Sequence, residues 1–482
     1  MKTNRLVAIE RLALCFALSL ASGMGFRTHA VESWPQFRGP NGSGVAEHAQ
    51  PPVTLGPTNG PRWCIEVPWS PSSPSVWGDR LFLTTFADGE LQTRAYATGD
   101  GHLIWSKGIK PGQLESFHGT DGSPAASTPA TDGKHVVSYF GSFGVICYDL
   151  KGKELWRRPF SCAVSGGAYG TGTSPILAHD RVVLNRDLDG DSLVCLLKAS
   201  SGKTIWETPR PDAVGSFGTP IVWHNQGFDE IVTPGSVHIK GYDFKTGHER
   251  WVVEGTTGFA CTTPVLGDGM LFYAAWSPGG ADAPWPSWET FLERNDKNHD
   301  GEVTFDEFPP DRRDFVRGLD RDHDGKITRK DWEMILARAA KARNLMLAIR
   351  PGGSGDITQT HVAWTTTKGL PYVPSPLYYQ GRIYLVRDGG MMSSFDAKSG
   401  NVFYSQERLE AAGSYYSSPV AADGRIYVAS LPGKLSVIKA GGDHPEILHQ
   451  ADFGERIFAS PAIVGRSVYL RTQTHLYAFG QP

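Results

Sequence analysis

The chain has 482 residues, 40% of them hydrophobic, and 47 Lys and Arg against 50 Asp and Glu give a formal charge of −3. That near balance, with no basic stripe or tail, argues against nucleic acid or an anionic membrane as the partner. The length is too great for one simple core, so an internal repeat is sought first.

The opening residues have the form of an export signal. Lys2, Arg5 and Arg11 precede a short apolar run, Leu12 to Ala21, that cannot span a bilayer. Thr28-His29-Ala30 fits a small-x-Ala cleavage site, with Ala21-Ser22-Gly23 as its rival. Residues 1–30 are therefore expected to be a signal peptide, and the mature protein to be periplasmic or secreted, with no integral membrane segment. Cys15 follows Leu14 inside the apolar run and is not read as a lipidation site. The other cysteines are Cys64, Cys147, Cys162, Cys195 and Cys261, an odd number that leaves at least one unpaired. Residues 34–44, WPQFRGPNGSG, carry turn signals and precede the first strand; they are expected on the propeller surface, where they could pack across one end of the channel, with a structural role.

From there the chain repeats. A Ser/Thr-Pro pair opens each unit, at Ser73, Thr128, Ser174, Thr219, Thr263, Ser375, Ser418 and Ser460, with prolines 55, 46, 45, 44, 112, 43 and 42 residues apart. Each opening leads to an apolar run, such as HVVSYF or RIYLVR, that reads as a strand. A turn Gly followed four residues later by an aromatic recurs as Gly101 to Trp105, Gly152 to Trp156, Gly202 to Trp206, Gly247 to Trp251 and Gly400 to Tyr404. A period near 45 with four strands per unit predicts an all-β, eight-bladed β-propeller spanning residues 31–276 and 343–482. The last unit lacks a fourth strand, while Pro61 to Val67 is a fourth-strand pattern with no unit ahead of it. This N-terminal strand is expected to complete the last blade and close the ring. The loops before the openings should line one end of a central funnel. Their polar candidates are His118, Asp121, Tyr169, Tyr415, Tyr416 and Arg456, and no two are spaced as a nucleophile and its base.

The 112-residue gap in the fifth unit holds an insertion of roughly 68 residues, expected to be a small α-helical domain at 277–342 that projects from a loop. It carries the chain's strongest chemical motif. DKNHDGEVTFDE, residues 296–307, matches the twelve-residue EF-hand calcium loop. Asp296, Asn298 and Asp300 would give side-chain oxygens, Glu302 its carbonyl and Glu307 a bidentate carboxylate. A second copy, residues 320–331, offers Asp320, Asp322, Asp324, the carbonyl of Lys326 and Asp331. Asp331 is one methylene shorter than the usual Glu, so the second site should be weaker. Calcium is the expected cofactor.

The YDFKTGHERW segment and its siblings AYATGDGHLIW, CYDLKGKELW and SFDAKSGNVFY resemble the pyrroloquinoline-quinone-type propeller repeat over about residues 34–276 and 344–480. The resemblance implies that Trp105, Trp156, Trp206, Trp251, Trp364 and Tyr404 dock against neighbouring blades. It points to two branches, the non-catalytic BamB-like scaffolds and the quinoprotein dehydrogenases. In the second branch the quinone is commonly covered by adjacent cysteines, which this chain lacks, and neither a catalytic Asp nor a funnel calcium can be placed. The leading expectation is an exported scaffold that binds a protein or small ligand at the funnel, and not an enzyme. The alternatives are a quinone-dependent alcohol or sugar dehydrogenase, and a calcium-dependent docking module built on the EF-hand pair.

Overall fold

A computed structural model describes residues 33–164, 169–320 and 324–481. The predicted signal peptide and Asp322 lie outside the described residues. Eight sheets, each with four antiparallel strands at its heart, form an eight-bladed β-propeller; seven follow one another along the chain, and the eighth takes its outer strand from Pro61–Glu66. The first strand of each is short, as in Ser75–Trp77, Ile176–Ala178 and Leu377–Tyr379. A proline precedes it because a strand's first residue can forgo its N–H. The second and third strands are covered on both faces by neighbouring blades. They therefore read as unbroken apolar runs, such as the fully buried His135–Phe140. The core lies between blades: Val137, Tyr139, Val145 and Cys147 of the second pack on Val182, Leu184, Cys195 and Leu197 of the third. The five described cysteines are all free.

The outer strands explain the turn-plus-aromatic signal. The indole Nε1–H groups of Trp63, Trp105, Trp156, Trp206 and Trp364 each donate to a carbonyl of the next blade, at Thr98, Leu150, Ala199, Phe244 and Ala397, over 2.6–3.1 Å. The turn glycine of that next blade makes room. A Cβ on Gly152, Gly202 or Gly247 would meet the preceding Trp ring at 2.8 Å or less. Trp251 departs from this expectation. It turns into its own blade, donates to Glu230 Oε2 at 3.0 Å and fills the space left by Gly241. The fifth blade offers it no matching turn, and Gly355–Asp356 pairs along its strand instead.

Pro61–Glu66 pairs antiparallel with His475–Gly480, with Trp63 opposite Ala478 and Cys64 opposite Tyr477. Residues 34–44 pack across one end of the channel, as the sequence allowed, and are buried there more than a surface segment would be. Trp34, Gln36 and Arg38 are buried. The segment crosses the inner end of the channel and hydrogen-bonds to one blade after another. Thr131 N donates to Pro35 O, Leu177 N to the Gln36 side chain, and Asn41 exchanges two bonds with Val222. Arg38 Nη2 donates to Pro376 O at 2.7 Å, and Ala421 N to Gly44 O. The innermost strands have one unpaired edge each, and this plug satisfies five of them.

In the fifth sheet, Met270–Ala275 pairs with Leu345–Ile349. Between them lie the helices Trp288–Asn295, Arg313–Arg317 and Arg329–Lys341 and a two-strand pairing of Val303–Thr304 with Lys326–Ile327. Their separate core includes Trp288, Phe291, Val303, Val316, Ile327, Trp332 and Ile335. Both ends of this segment are pinned to the ring. Arg343 N donates to Thr256 O, and the Asn344 amide bonds Ser277 and Thr257. No described helix is long and apolar enough to cross a membrane.

Candidate functional site

The Ser/Thr of each repeat opening does more than mark a turn. The backbone N–H of Ser73 donates to Thr128 Oγ1, that of Thr128 to Ser174 Oγ, and so on through Thr219, Thr263, Ser375, Ser418 and Ser460. The N–H of Ser460 donates back to Ser73 Oγ. All eight bonds measure 2.9–3.1 Å, and they close a circle around the channel. Each hydroxyl accepts from one blade, which leaves its own hydrogen available as a donor.

Above this circle lies a cavity of about 210 Å³. Its walls follow a rule. In an extended chain residues two apart share a face. The residue two before each ring hydroxyl therefore also points at the axis: Pro71, Ala126, Gly172, Phe217, Cys261, Val373, Tyr416 and Phe458. Tyr169, Phe259 and Tyr372 complete an aromatic wall, and Phe37 of the plug also lines the cavity. Phe217 meets Phe259 edge-on at 5.1 Å and Tyr416 meets Phe458 at 5.7 Å. Gly172 is required here, since a Cβ would come within 2.9 Å of the Phe217 ring.

Among the described residues, one carboxylate lines this cavity, that of Asp121. It is ion-paired with Arg456, whose guanidinium lies 4.5 Å from the Phe458 ring centroid and donates to Thr120 O. Tyr416 Oη donates to Asp121 at 3.4 Å. Burial, reinforced by the Asp121 charge, pushes the Tyr416 phenol up to about 12, so it remains a neutral donor. Of the six polar candidates, Asp121, Tyr169 and Tyr416 line the cavity, Arg456 holds Asp121, and His118 stacks on Tyr169 at 5.9 Å. Tyr415 belongs elsewhere. It is buried and donates to Ala411 O at 2.6 Å. Phe217, Phe259, Tyr372 and Phe458 escaped the sequence reading, which looked for polar groups. Counting two back from each Ser/Thr-Pro finds Phe217 and Phe458.

The acidic loops of the inserted segment are compact. Asp296 accepts the N–H groups of His299, Asp300 and Gly301. Glu307 folds back on the loop's start, accepting from Lys297 N at 2.6 Å and from Thr304 N at 2.7 Å. Burial pushes the Glu307 carboxyl up, but the N–H groups of Thr304, Lys297 and Asn298 outweigh it and hold it below the usual carboxylate range. Asn298 and Asp300 bond each other at the loop's centre. In the second loop Asp320 accepts from Asp324 N and Gly325 N, and buried Asp331 accepts from Thr328 through N–H and hydroxyl. Gly301 and Gly325 take φ of 87° and 96°, which the sharp turn demands. The side chains of Glu302 and Lys326 pair with each other, which leaves their carbonyls as the groups to offer. Val303 faces Ile327 between the loops. An all-oxygen donor set of this kind suits a hard divalent cation. Asp132, His135 and Asp180 also bring ligand atoms within 4.8 Å of one another, but Asp132 is committed to its own turn, accepting from Lys134 N, His135 N and the His135 ring.

No curated protein matches the chain. Among solved structures it is similar to BamB from Moraxella catarrhalis, at 12% identity and a TM-score of 0.54, over 87% of this chain and 98% of that one. It is similar to a europium-containing methanol dehydrogenase, at 11% identity and a TM-score of 0.57, over 94% and 99%. Quinohemoprotein alcohol dehydrogenase from Comamonas testosteroni gives 12%, 0.53, 93% and 81%. At such identities the likeness is one of fold. The family described as outer membrane protein assembly factor BamB matches residues 87–260 and 312–481, most of the ring, and the chain belongs to that family.

Proposed function

We propose that the protein is an exported binding propeller whose funnel receives an aromatic anchor from a protein partner. The observation that carries this reading is the cavity itself. Its inner chamber, of about 210 Å³, has room for one large side chain. Its walls are aromatic, its base is a circle of hydroxyl donors, and its one carboxylate is neutralised by Arg456. Interface hot spots are aromatic side chains seated in such pockets. On this reading Pro61–Glu66 closes the ring, and residues 277–342 form an EF-hand pair that holds two calcium ions. Asp296, Asn298, Asp300, the Glu302 carbonyl and Glu307 serve the first. Asp320, Asp322, Asp324, the Lys326 carbonyl and Asp331 serve the second.

A quinone-dependent dehydrogenase is the second reading, favoured by Asp121 standing as a lone carboxylate in an aromatic funnel. One pair of measurements separates the two. Calorimetry with N-acetyltryptophanamide should show binding that Phe458→Ala weakens. Dye reduction with alcohols and sugars, after incubation with pyrroloquinoline quinone and calcium, should show no turnover. Quinone-dependent turnover would overturn the scaffold reading.

A further inference from the structure

We infer that the inserted module supplies the outer half of the funnel's site, and that the occupant is an extended polypeptide segment. This rests on the reading of the funnel as the place where an aromatic anchor binds. The inner cavity does not open directly to solvent on every side. Tyr169, Phe259 and Tyr372 of its wall also line a second cavity of about 370 Å³. The far wall of that second cavity is the inserted module, through Trp285, Leu319, Ile335 and Ala339. The module therefore stands over the mouth of the funnel.

Three features select a peptide. The inner cavity accommodates one large side chain, and the outer one, nearly twice its volume, continues from it through the three shared rings. Ligand atoms leaving the inner cavity on that side must pass between ring and module, the path of a chain running on from its anchor. Gly215, Gly258, Gly279 and Gly318 line the outer cavity, and without Cβ atoms they let a backbone approach closely. Leu319, Ile335 and Ala339 give it apolar ground for flanking side chains.

The same geometry ties this half of the site to the cation loops. Leu319 immediately precedes Asp320, the first ligand position of the second loop. Asp331, Ile335 and Ala339 are spaced i, i+4, i+8 on the helix Arg329–Lys341, hence on one face. A cation that draws Asp320 and Asp331 together sets the position of both the helix and Leu319. The outer wall should thus be in place with calcium and displaced without it, while the inner cavity is untouched.

The test compares two probes by calorimetry on the full protein, N-acetyltryptophanamide and the blocked peptide Ala-Leu-Trp-Leu-Ala, each with calcium and with EGTA. The expected result is a peptide affinity about tenfold or more above that of the amide, since two flanking leucines lose water. EGTA should abolish that increment and leave the amide unchanged. Ala339→Phe, which fills the outer cavity, should abolish it too while still titrating calcium normally, which shows the module intact. Equal affinities for the two probes, or an increment that survives both EGTA and Ala339→Phe, would overturn the inference and leave the funnel reading standing. Failure of both probes to bind would overturn the funnel reading and this one with it.

Discussion

The ring and the inserted module hold themselves together in opposite ways. In the ring one contact is made eight times, a backbone N–H donating to the Ser or Thr hydroxyl of the next blade, and the last returns to the first. One of its buried charges, that of Arg210, is paired with Asp187, while buried Arg38 and Arg471 donate to carbonyls. The module makes each contact once. Its small core packs beside loops whose acidic side chains are held by their own backbone N–H groups, Asp296 and Glu307 in the first and Asp320 and Asp331 in the second. A closed repeat spreads the cost of a single defect but suffers from an open edge. A small unrepeated core has no copies over which to share such a defect.

Removing residues 33–68 is the largest break on the ring side. It takes away the partner of His475–Gly480, with buried Trp63, and also the plug that satisfies five inner strands. A loss of more than about 4 kcal/mol, the range kept for wholesale loss of core, is expected in thermal or denaturant unfolding. An unchanged midpoint would mean that the ring does not need its N-terminal strand. Asp187→Asn comes next. Asp187 receives Arg210 Nε at 2.6 Å and Nη2 at 3.0 Å, with both side chains wholly buried, and Ser216 Oγ at 2.8 Å. The variant strands a guanidinium and should cost about 3–5 kcal/mol. In urea the midpoint should fall at unchanged slope. A cost below that of a surface change would show that water reaches the pair.

Much of this was legible in the sequence. The Ser/Thr-Pro openings counted the blades because each hydroxyl is needed by its neighbour, and a strict chemical requirement leaves a strict spacing. The tryptophans announced the outer strands for the same reason. What stayed hidden is non-local. WPQFRGPNGSG reads as turns because its partners, Val222, Pro376 and Ala421, are hundreds of residues away. Trp251 carries the same signal as Trp206, yet it turns inward because the following blade lacks the receiving turn. The Arg210–Asp187 pair has no motif. The 112-residue gap between repeat openings told that something was inserted, but not in which direction it would lie.

A single hydroxyl sharpens the ring side of the comparison. Thr219→Val keeps the shape and removes the acceptor for Ser174 N, 3.1 Å away. One buried N–H left unsatisfied costs about 1–3 kcal/mol. The same change at Thr128 should cost a similar amount, because every position in the circle has the same job. A loss at one site much above the other would show that the circle is not uniform.

Glu307→Gln should affect the ring least and the module most. Glu307 stands at position 12 of the first loop, where a bidentate carboxylate normally completes a calcium shell of six to eight oxygens. Its oxygens accept from Lys297 N and Thr304 N, which folds it back over the loop's start. Glutamine keeps the length but replaces one oxygen with a donor amide, which lowers both charge and denticity. Asp331 in the second loop makes the same bonds to Thr328 that Glu307 makes to Thr304 but is one methylene shorter, so the second ion should be held more weakly from the start. Calorimetry on the full chain should therefore show two unequal calcium events in the wild type, with the tighter one weakened by at least about tenfold in Glu307→Gln, equivalent to 1.4 kcal/mol. Val303 pairs with Ile327 across the loops, so the weaker event should shift as well, by less. The ring's unfolding midpoint in calcium-free buffer should not move, because Glu307 touches no blade. If the tighter event survives Glu307→Gln unchanged, Glu307 is not its anchor. If the ring's midpoint falls, the two regions are not held together by separate means.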